Sequence, residues 1–470
     1  MLRESWYAGG KLREWYLFVK QIIIYNTIFF RELSLFFYLM ENPKQPKNQR
    51  VVITGMGVAA PNAVGLEGFE QAIRAGTSGI RFFPELEELK FSCQIGGKPE
   101  ITREKLEENF TPLQLRGLNS SGIIYGVIAG NEAWKDAGLN IAPAESPDWD
   151  SGIIFGTGIL GVDKFREAIH LIDAGNTRRL GSTSVIQTMA SGISAYLGGI
   201  LGCGNLVTTN SSACTTGTEA VLMGYERIKA GKAKRMLVGS CGDHGPYVWG
   251  GFDAMRILPG NYNKQPHKAS RPMSSTSTGF VPGSGAGALV LEDYEEALAR
   301  GAKIYAEVLG GEINSGGQRG GGSMTAANSE AVQRCIKGAL HNSQVPAKDV
   351  DVINGHLTAT SRDVVEIENW IEALGIKKKE FPYINSLKGM TGHCLSASGS
   401  IECVAAILQL YKGFIFGNVN SEDLDPAIGE LVPREKIPIS TLEKDIKILA
   451  KASFGFGDVN AVVLFSKFES

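Results

Sequence analysis

Three residues of this chain have the chemistry for acyl transfer. Cys214 stands in NSSACTTGTEAVLMGYERIKAG, His356 in GHLTAT and His393 in LKGMTGHCLSASG. A thiolate can take an acyl group, and two imidazoles can donate hydrogen bonds to a carbonyl oxygen on which charge develops. The apolar run Asn205–Thr209 reads as a strand, and the small residues Ser211, Ser212 and Ala213 leave room for a substrate carbonyl beside the sulfur. A helical pattern through Ala220, Val221, Met223 and Ile228 then runs to a Lys-Ala-Gly stop. A thiol at the first turn of that helix is expected to feel the positive end of the helix dipole, which favours thiolate. The competing account is a core thiol, because free cysteine is among the most buried residue types. Each histidine taken singly also reads as a structural or solvent-facing residue.

His356 closes the strand-like run VDVING. His393 follows Lys388 by five residues and precedes a helix carrying Ile401, Val404, Ala405, Ile407 and Leu408. The chain has six histidines, and these two fall in strand-to-helix loops of the same type. No carboxylate or second ligand stands at helical spacing from either, so no metal site is expected. Lys388 supplies a fixed positive charge that would orient or polarise the imidazoles, or it is a solvated loop lysine. In KASFGFGDVNAVVLF, glycines flank Phe454 and Phe456. Such a loop brings a backbone N–H toward an acyl-sulfur, or it is a core hairpin with packed aromatics.

The elements that must position these groups alternate. Runs such as VVITGMG, SGIIFGTG, RMLVGS and GALVLE, then IYAEVLG, VDVINGH, FPYINS, IPISTL and NAVVLF, read as strands between helical patterns, predicting an α/β fold with helix-covered sheets. The two halves echo each other. SGIIFGTGILGVDKFREAIHLIDAG is matched by VDVINGHLTATSRDVVEIENWIEALG, and NSSACTTGTEAVLMGYERIKAG by NSLKGMTGHCLSASGSIECVAAILQLYKG. Related halves would face their equivalent loops across a pseudo-twofold axis, so that Cys214 of one meets His356 and His393 of the other.

With 470 residues and 43% apolar composition, the chain can bury a large core in two or more domains. A net charge of −2 gives no signal for nucleic acid. The seven cysteines show no close-paired metal spacing and fit a reducing, cytoplasmic setting. In residues 1–40, Lys20, Arg31 and Glu32 interrupt an aromatic, apolar stretch before it reaches the ~20 residues of a membrane span. Residues 1–49 are therefore expected to be a dispensable extension and linker, with halves at 50–300 and 301–470.

The set SSACTTG, GHLTAT, LKGMTGH and SFGFGDVN, in this order, resembles the β-ketoacyl-acyl-carrier-protein synthases, and more narrowly the elongating type II enzymes of fatty-acid and polyketide synthesis. The segment SRPM…GFVPGSGAGALVLEDYEEALARGAKIYAEVLG agrees, and the likeness spans Arg50 to Phe468. It implies a thiolase-like duplicated fold in five α-β-α-β-α layers, usually dimeric. It also implies that Cys214 receives an acyl chain from carrier-protein phosphopantetheine. His356 and His393 would hold the malonyl thioester, promote loss of carbon dioxide and stabilise the enolate. Lys388 and Glu402 match the supporting lysine and glutamate, and Thr358 and Thr360 the threonines that contact the pantetheine arm. The N–H groups of Cys214 and Phe454 would form the oxyanion hole, with Phe454 also the gate. Arg178, Arg179 and Arg256 match basic positions around the mouth that meets the acidic carrier. No cofactor of the chain's own is implied. The implied partners are an acyl carrier protein and either a second copy or a related synthase subunit.

The sequence departs from the family pattern in places. Leu357 stands where glycine is usual, which predicts a narrower approach to His356. SSTST (274–278) replaces an acidic and basic pattern, and Asp458 stands where glycine is expected. The loop RRLGSTSVIQTM is short beside the acyl pocket. These changes leave the primer open and point to a specialised synthase, for polyenes or other secondary products. Two alternatives remain: a chain-length-factor-like partner that shapes but does not react, against which Cys214 and both histidines stand, and a thiolase-type enzyme, whose base motif the surroundings of Cys394 do not match.

Overall fold

In the computed structural model, residues 49–469 are described, apart from Lys377, together with Lys20. The expected extension, residues 1–49, otherwise lies outside the described residues. Five main strands build the first half of the sheet, β1 (Val51–Ala60), β2 (Ser151–Thr157), β3 (Val207–Thr208), β4 (Arg235–Gly242) and β5 (Gly285–Asp293), with the two-residue strand Ala63–Val64 paired to the end of β1. Five more build the second: β6 (Ala306–Ser315), β7 (Val352–Asn354), β8 (Tyr383–Asn385), β9 (Ile448–Gly455) and β10 (Val459–Lys467). Counted within each half, the spatial order is third, second, fourth, fifth, first in both. The duplication read from the sequence is thus a duplication of topology. The halves join edge to edge where Val51, Val52 and Ile53 pair antiparallel with Val308, Glu307 and Ala306.

Both faces of the sheet are covered, which explains why β1, β2 and β5 are buried along their whole length rather than on alternate residues. Along β4, Met236 and Val238 enter the central core while Leu237 and Cys241 enter an outer one. Along β10, Val463 and Phe465 point to the centre, and Val462 and Leu464 to the opposite outer core. Helices α1 (Ser121–Asp136) and α2 (Gly192–Leu201) cover the outside of the first half. Helices α4 (Ser329–Asn342) and α5 (Arg362–Leu374) cover the second. Between the halves lie α3 (Thr216–Lys229) and α6 (Ser398–Lys412), completing the five layers.

The two central helices touch backbone to backbone. A Cβ on Gly217 would fall 2.3 Å from the amide nitrogen of Ser400, and one on Gly399 would fall 2.6 Å from that of Thr218. Only glycine fits at either crossing point.

Two elements differ from the sequence reading. IPISTL was expected as a strand, yet only Leu442 of that run pairs, in a short ladder with Ile415. The sheet strand is β9, whose apolar run is broken by Lys451. The run Asn205–Thr209 contributes only Val207 and Thr208 to the sheet, as an edge strand.

Candidate active site

Cys214 occupies a 3₁₀ turn, Ala213–Thr215, that runs directly into α3. Ala213 holds φ at 48°, a left-handed conformation that an L-residue adopts only when its surroundings enforce it. Thr216 enforces it here: its hydroxyl accepts from the Ser212 N–H at 2.9 Å and donates to the Ala213 carbonyl at 2.7 Å. Glu219 accepts hydroxyl hydrogen bonds from Ser212 and, at 2.9 Å, from Thr215. The second half repeats the device. The 3₁₀ turn Leu395–Ala397 opens α6 with Leu395 at φ 53°, so Ser396 takes the place that Cys214 has in the first half.

The structure brings the three expected groups together. His393 Nε2 lies 3.1 Å from the Cys214 sulfur, across 179 residues of chain. Donor atoms of Cys214, His356 and His393 all fall within 4.8 Å of one another, and the two imidazole rings meet edge to face at 5.3 Å. The Leu395 N–H donates to Nδ1 of His393 at 3.2 Å, and Ser398 Oγ lies 2.9 Å from the same nitrogen. An N–H cannot accept, so Nδ1 carries a lone pair and the proton of the neutral ring sits on Nε2, facing the sulfur. His356 is fixed through its backbone, where its N–H donates to Glu366 Oε1 at 2.7 Å and the Leu357 N–H to Oε2 at 2.8 Å.

Burial decides the charges. It pushes the Cys214 thiol up to about 11, although Lys388 and the N–H of Phe456 pull it down. The expected help from the helix dipole, worth about 0.3–1 kcal/mol, is outweighed by desolvation, which shifts fully buried groups by up to about 3–5 pH units. Burial, then Lys388, drives both histidines well below their ordinary value. The resting site is therefore a thiol beside neutral imidazoles. Its Cys-His-His donors are the residue types that hold zinc, but the nearby ammonium groups disfavour a cation there.

Lys388 is fully buried, its Nζ 2.5 Å from Glu402 Oε1. The other Glu402 oxygen is 2.8 Å from Nζ of Lys451, an ion pair whose angles fall outside hydrogen-bond geometry. The sequence reading did not single out Lys451; a lysine inside an apolar strand was the available signal. The oxyanion and gate assignment to Phe454 also changes. Phe454 packs its ring 6.1 Å from His356, and its backbone stands opposite Asn460 in the ladder. The N–H directed at the Cys214 sulfur belongs to Phe456, two residues on, whose half-buried ring lies 6.1 Å from Phe252.

A cavity of about 600 Å³ opens onto the three groups. Its lining includes the apolar Ile159, Val248, Met255, Ile257 and Phe280, together with Thr325, Thr358 and Thr360, the last two with hydroxyls 3.1 Å apart. Leu357 does not narrow the approach. Its side chain packs with Ile353, Ile367 and Trp370 in the outer core, at a φ of 20°. The hydroxyls of Ser274, Ser275 and Thr276 converge on Asp423, which Arg271 also meets at 2.7 Å. Arg256 is exposed between the wall residues Met255 and Ile257, whereas Arg178 and Arg179 sit on an exposed turn outside the cavity wall.

Models of the β-ketoacyl synthase N-terminal and C-terminal domains match residues 48–297 and 305–422. The chain is 32% identical over 427 residues to 3-oxoacyl-[acyl-carrier-protein] synthase 1 of Escherichia coli (strain K12), covering 89% of this chain and 99% of that one. It is 32% identical over 446 residues to the chloroplastic 3-oxoacyl-[acyl-carrier-protein] synthase I of Arabidopsis thaliana, covering 90% and 87%. Among solved structures, the ishigamide ketosynthase/chain length factor superposes with a TM-score of 0.79 at 26% identity, covering 90% of this chain and 100% of that one. A type II polyketide ketosynthase, solved with its acyl-carrier protein and bound to the hexaketide, gives 0.78 at 28% identity with the same coverage. These matches span nearly all of the described residues, and the chain belongs to the β-ketoacyl synthase family, as a type II-like 3-oxoacyl synthase of the thiolase superfamily.

Proposed function

We propose that this protein is an acyltransferase catalysing decarboxylative condensation of an acyl-Cys214 thioester with malonyl-acyl-carrier protein, giving a 3-oxoacyl-carrier protein and carbon dioxide. The observation that carries this reading is the 3.1 Å approach of His393 Nε2 to the Cys214 sulfur, in a cavity lined by apolar side chains and by threonine hydroxyls. In the first half-reaction the sulfur attacks the carrier thioester. A new S–C bond forms, and the phosphopantetheine thiol leaves with the proton that Cys214 gives up. The N–H groups of Cys214 and Phe456 hold the oxyanion of this step.

Malonyl-carrier then enters beside Thr358 and Thr360. Its thioester oxygen accepts from the Nε2–H of His393 and from His356. The bond to the carboxylate breaks, carbon dioxide leaves, and the electron pair becomes an enolate held by those donors. The enolate carbon attacks the acyl-Cys214 carbonyl, a C–C bond forms as the C–S bond breaks, and the sulfur leaves as thiolate and takes a proton from solvent. Phosphopantetheine belongs to the carrier, and the chain needs no cofactor of its own. Lys388 and Glu402 support the imidazoles electrostatically.

The acyl carrier protein is the expected partner, and Arg256, beside the cavity wall, is the best placed of the three docking arginines. A second ketosynthase-fold subunit, identical or related, fits the apolar surface formed by Phe165, Ile169, Ile172, Val185 and Met189, on and just after two packed helices, Val162–Asp173 and Ser184–Thr188. Residues 50–300 and 301–470 act as the nucleophile-bearing and histidine-bearing halves. None of the described helices is long and apolar enough to cross a membrane, and the setting proposed is the cytoplasm. The likeness to polyketide ketosynthases supports a specialised product. Mass spectrometry of the protein after incubation with a panel of acyl-carrier thioesters should place the acyl group on Cys214. Condensation that survives Cys214→Ala would make Cys214 a bystander and sink the acyl-Cys214 reading.

A further inference from the structure

Strand β9 carries a cation into the interior. Its alternation sends Ala450, Ala452 and Phe454 to the outer core and Leu449 to the central one, and Lys451 lies on the face of Leu449. Lys451 is fully buried. Its Nζ reaches the Ala452 carbonyl, Ser453 Oγ at 2.8 Å and Glu402 Oε2 at 2.8 Å, while Glu402 Oε1 meets Lys388 at 2.5 Å. Two ammonium groups share one carboxylate, which leaves one positive charge uncancelled in a dry interior where charge acts at longer range than in water.

We propose that Lys451 is a positioning residue of the condensing site: with Lys388 it brackets Glu402, and the uncancelled charge of this trio keeps the two imidazoles neutral and favours the enolate they hold. The inference rests on the condensation reading above. Both histidines sit well below their ordinary value through burial first, then Lys388, with Lys451 adding to the effect at each ring. The titratable groups facing the trio are Cys214 just before α3, His356 and Glu366 from the β7–α5 segment, His393 and Cys394 before α6, and Cys403 within it, while Asp363 acts on Glu366 and not on the trio. Glu366, which burial pushes up to about 7, cancels part of the charge as it ionises.

The test is the pH profile of condensation by the full chain, with acyl- and malonyl-carrier protein as substrates. Lys451→Met and Lys451→Gln each remove the uncancelled charge, so imidazolium forms more readily. The acid limb of kcat should move toward neutral by about one pH unit. Combining Lys451→Met with Glu402→Gln leaves Lys388 as one uncancelled charge, and the limb should return to its original position. A purely structural Lys451 would show no such return. An acid limb that stays in place in either folded neutral variant overturns the assignment. So does a failure of both neutral variants to fold, which would make Lys451 structural. Absence of condensation by the unaltered protein would instead overturn the condensing function itself.

Discussion

Ser398 sets its hydroxyl 2.9 Å from Nδ1 of His393, on the side of the ring away from Cys214. With the Leu395 N–H on the same nitrogen, it fixes both the tautomer and the aim of Nε2–H. Ser398→Ala removes one of the two restraints, a hydrogen bond worth about 1 kcal/mol. Turnover is expected to fall about five- to tenfold with KM unchanged. His393→Ala removes the donor itself and should cost about 10²–10³ in kcat. Steady-state kinetics with malonyl-carrier protein separate the two. A Ser398→Ala effect confined to KM would contradict the tautomer assignment.

The thiol is expected to be unreactive until a substrate arrives. Burial pushes Cys214 up to about 11, so below that pH its thiolate fraction rises tenfold per unit. Iodoacetamide should therefore alkylate Cys214 slowly at neutral pH, with a rate climbing log-linearly toward about pH 11. Peptide mapping at each pH reads the rate at this one residue. A plateau below pH 8 would mean that the dipole and Lys388 outweigh burial.

Much of this site was legible in the chain. Cys214, His356 and His393 stand in small-residue loops that only a duplicated fold brings together, and the echo between halves was visible in the residues following Asn210 and Asn385. What escaped had physical causes. Lys451 broke the apolar run of β9, so KASFG read as loop and the strand was placed at IPISTL. Phe454 and Phe456 share a glycine-rich motif, and strand register, invisible to composition, decides which N–H turns toward the sulfur. Leu357 occupies a position where glycine was expected, and its inward rotation into the core leaves the approach to His356 open. The cost of burying the thiol belongs to the assembled layers and not to the helix that carries it.

The contact between the central helices predicts a matched pair of variants. Gly217→Ala would put a Cβ 2.3 Å from the Ser400 nitrogen, forcing apart the helices that carry Cys214 and the histidine-side turn. Overpacking of this kind costs about 1–3 kcal/mol, and sub-ångström displacement of the sulfur should lower kcat as well. Gly251, in the helix Pro246–Ala254, is the control, because a Cβ added there would meet nothing within 4 Å. Gly251→Ala should be neutral or stabilising by up to about 1 kcal/mol. Urea unfolding midpoints and kcat, measured on both, should fall together for Gly217→Ala, and neither should fall for Gly251→Ala.

Asp458 ties the glycine-rich loop to the cavity. Its carboxylate accepts from the Gln318 N–H at 2.9 Å and the Asn328 N–H at 2.8 Å, and its carbonyl accepts from the Gly316 N–H at 2.9 Å. The segment between those contacts supplies Thr325, Ala326 and Ala327 to the cavity wall. Asp458→Gly removes both carboxylate bonds while relieving a left-handed φ of 61°, so the backbone at the position itself can remain as it is. The loss therefore falls on the loop. KM for carrier-bound substrate should rise about three- to tenfold, the equivalent of roughly one hydrogen bond, with kcat nearly unchanged. Limited proteolysis should cut within residues 316–328 sooner than in the unaltered protein, because loops that lose their backbone partners open locally. A variant with unaltered KM and unaltered cleavage would show that the loop holds its shape without the carboxylate, and that Asp458 serves only the turn between β9 and β10.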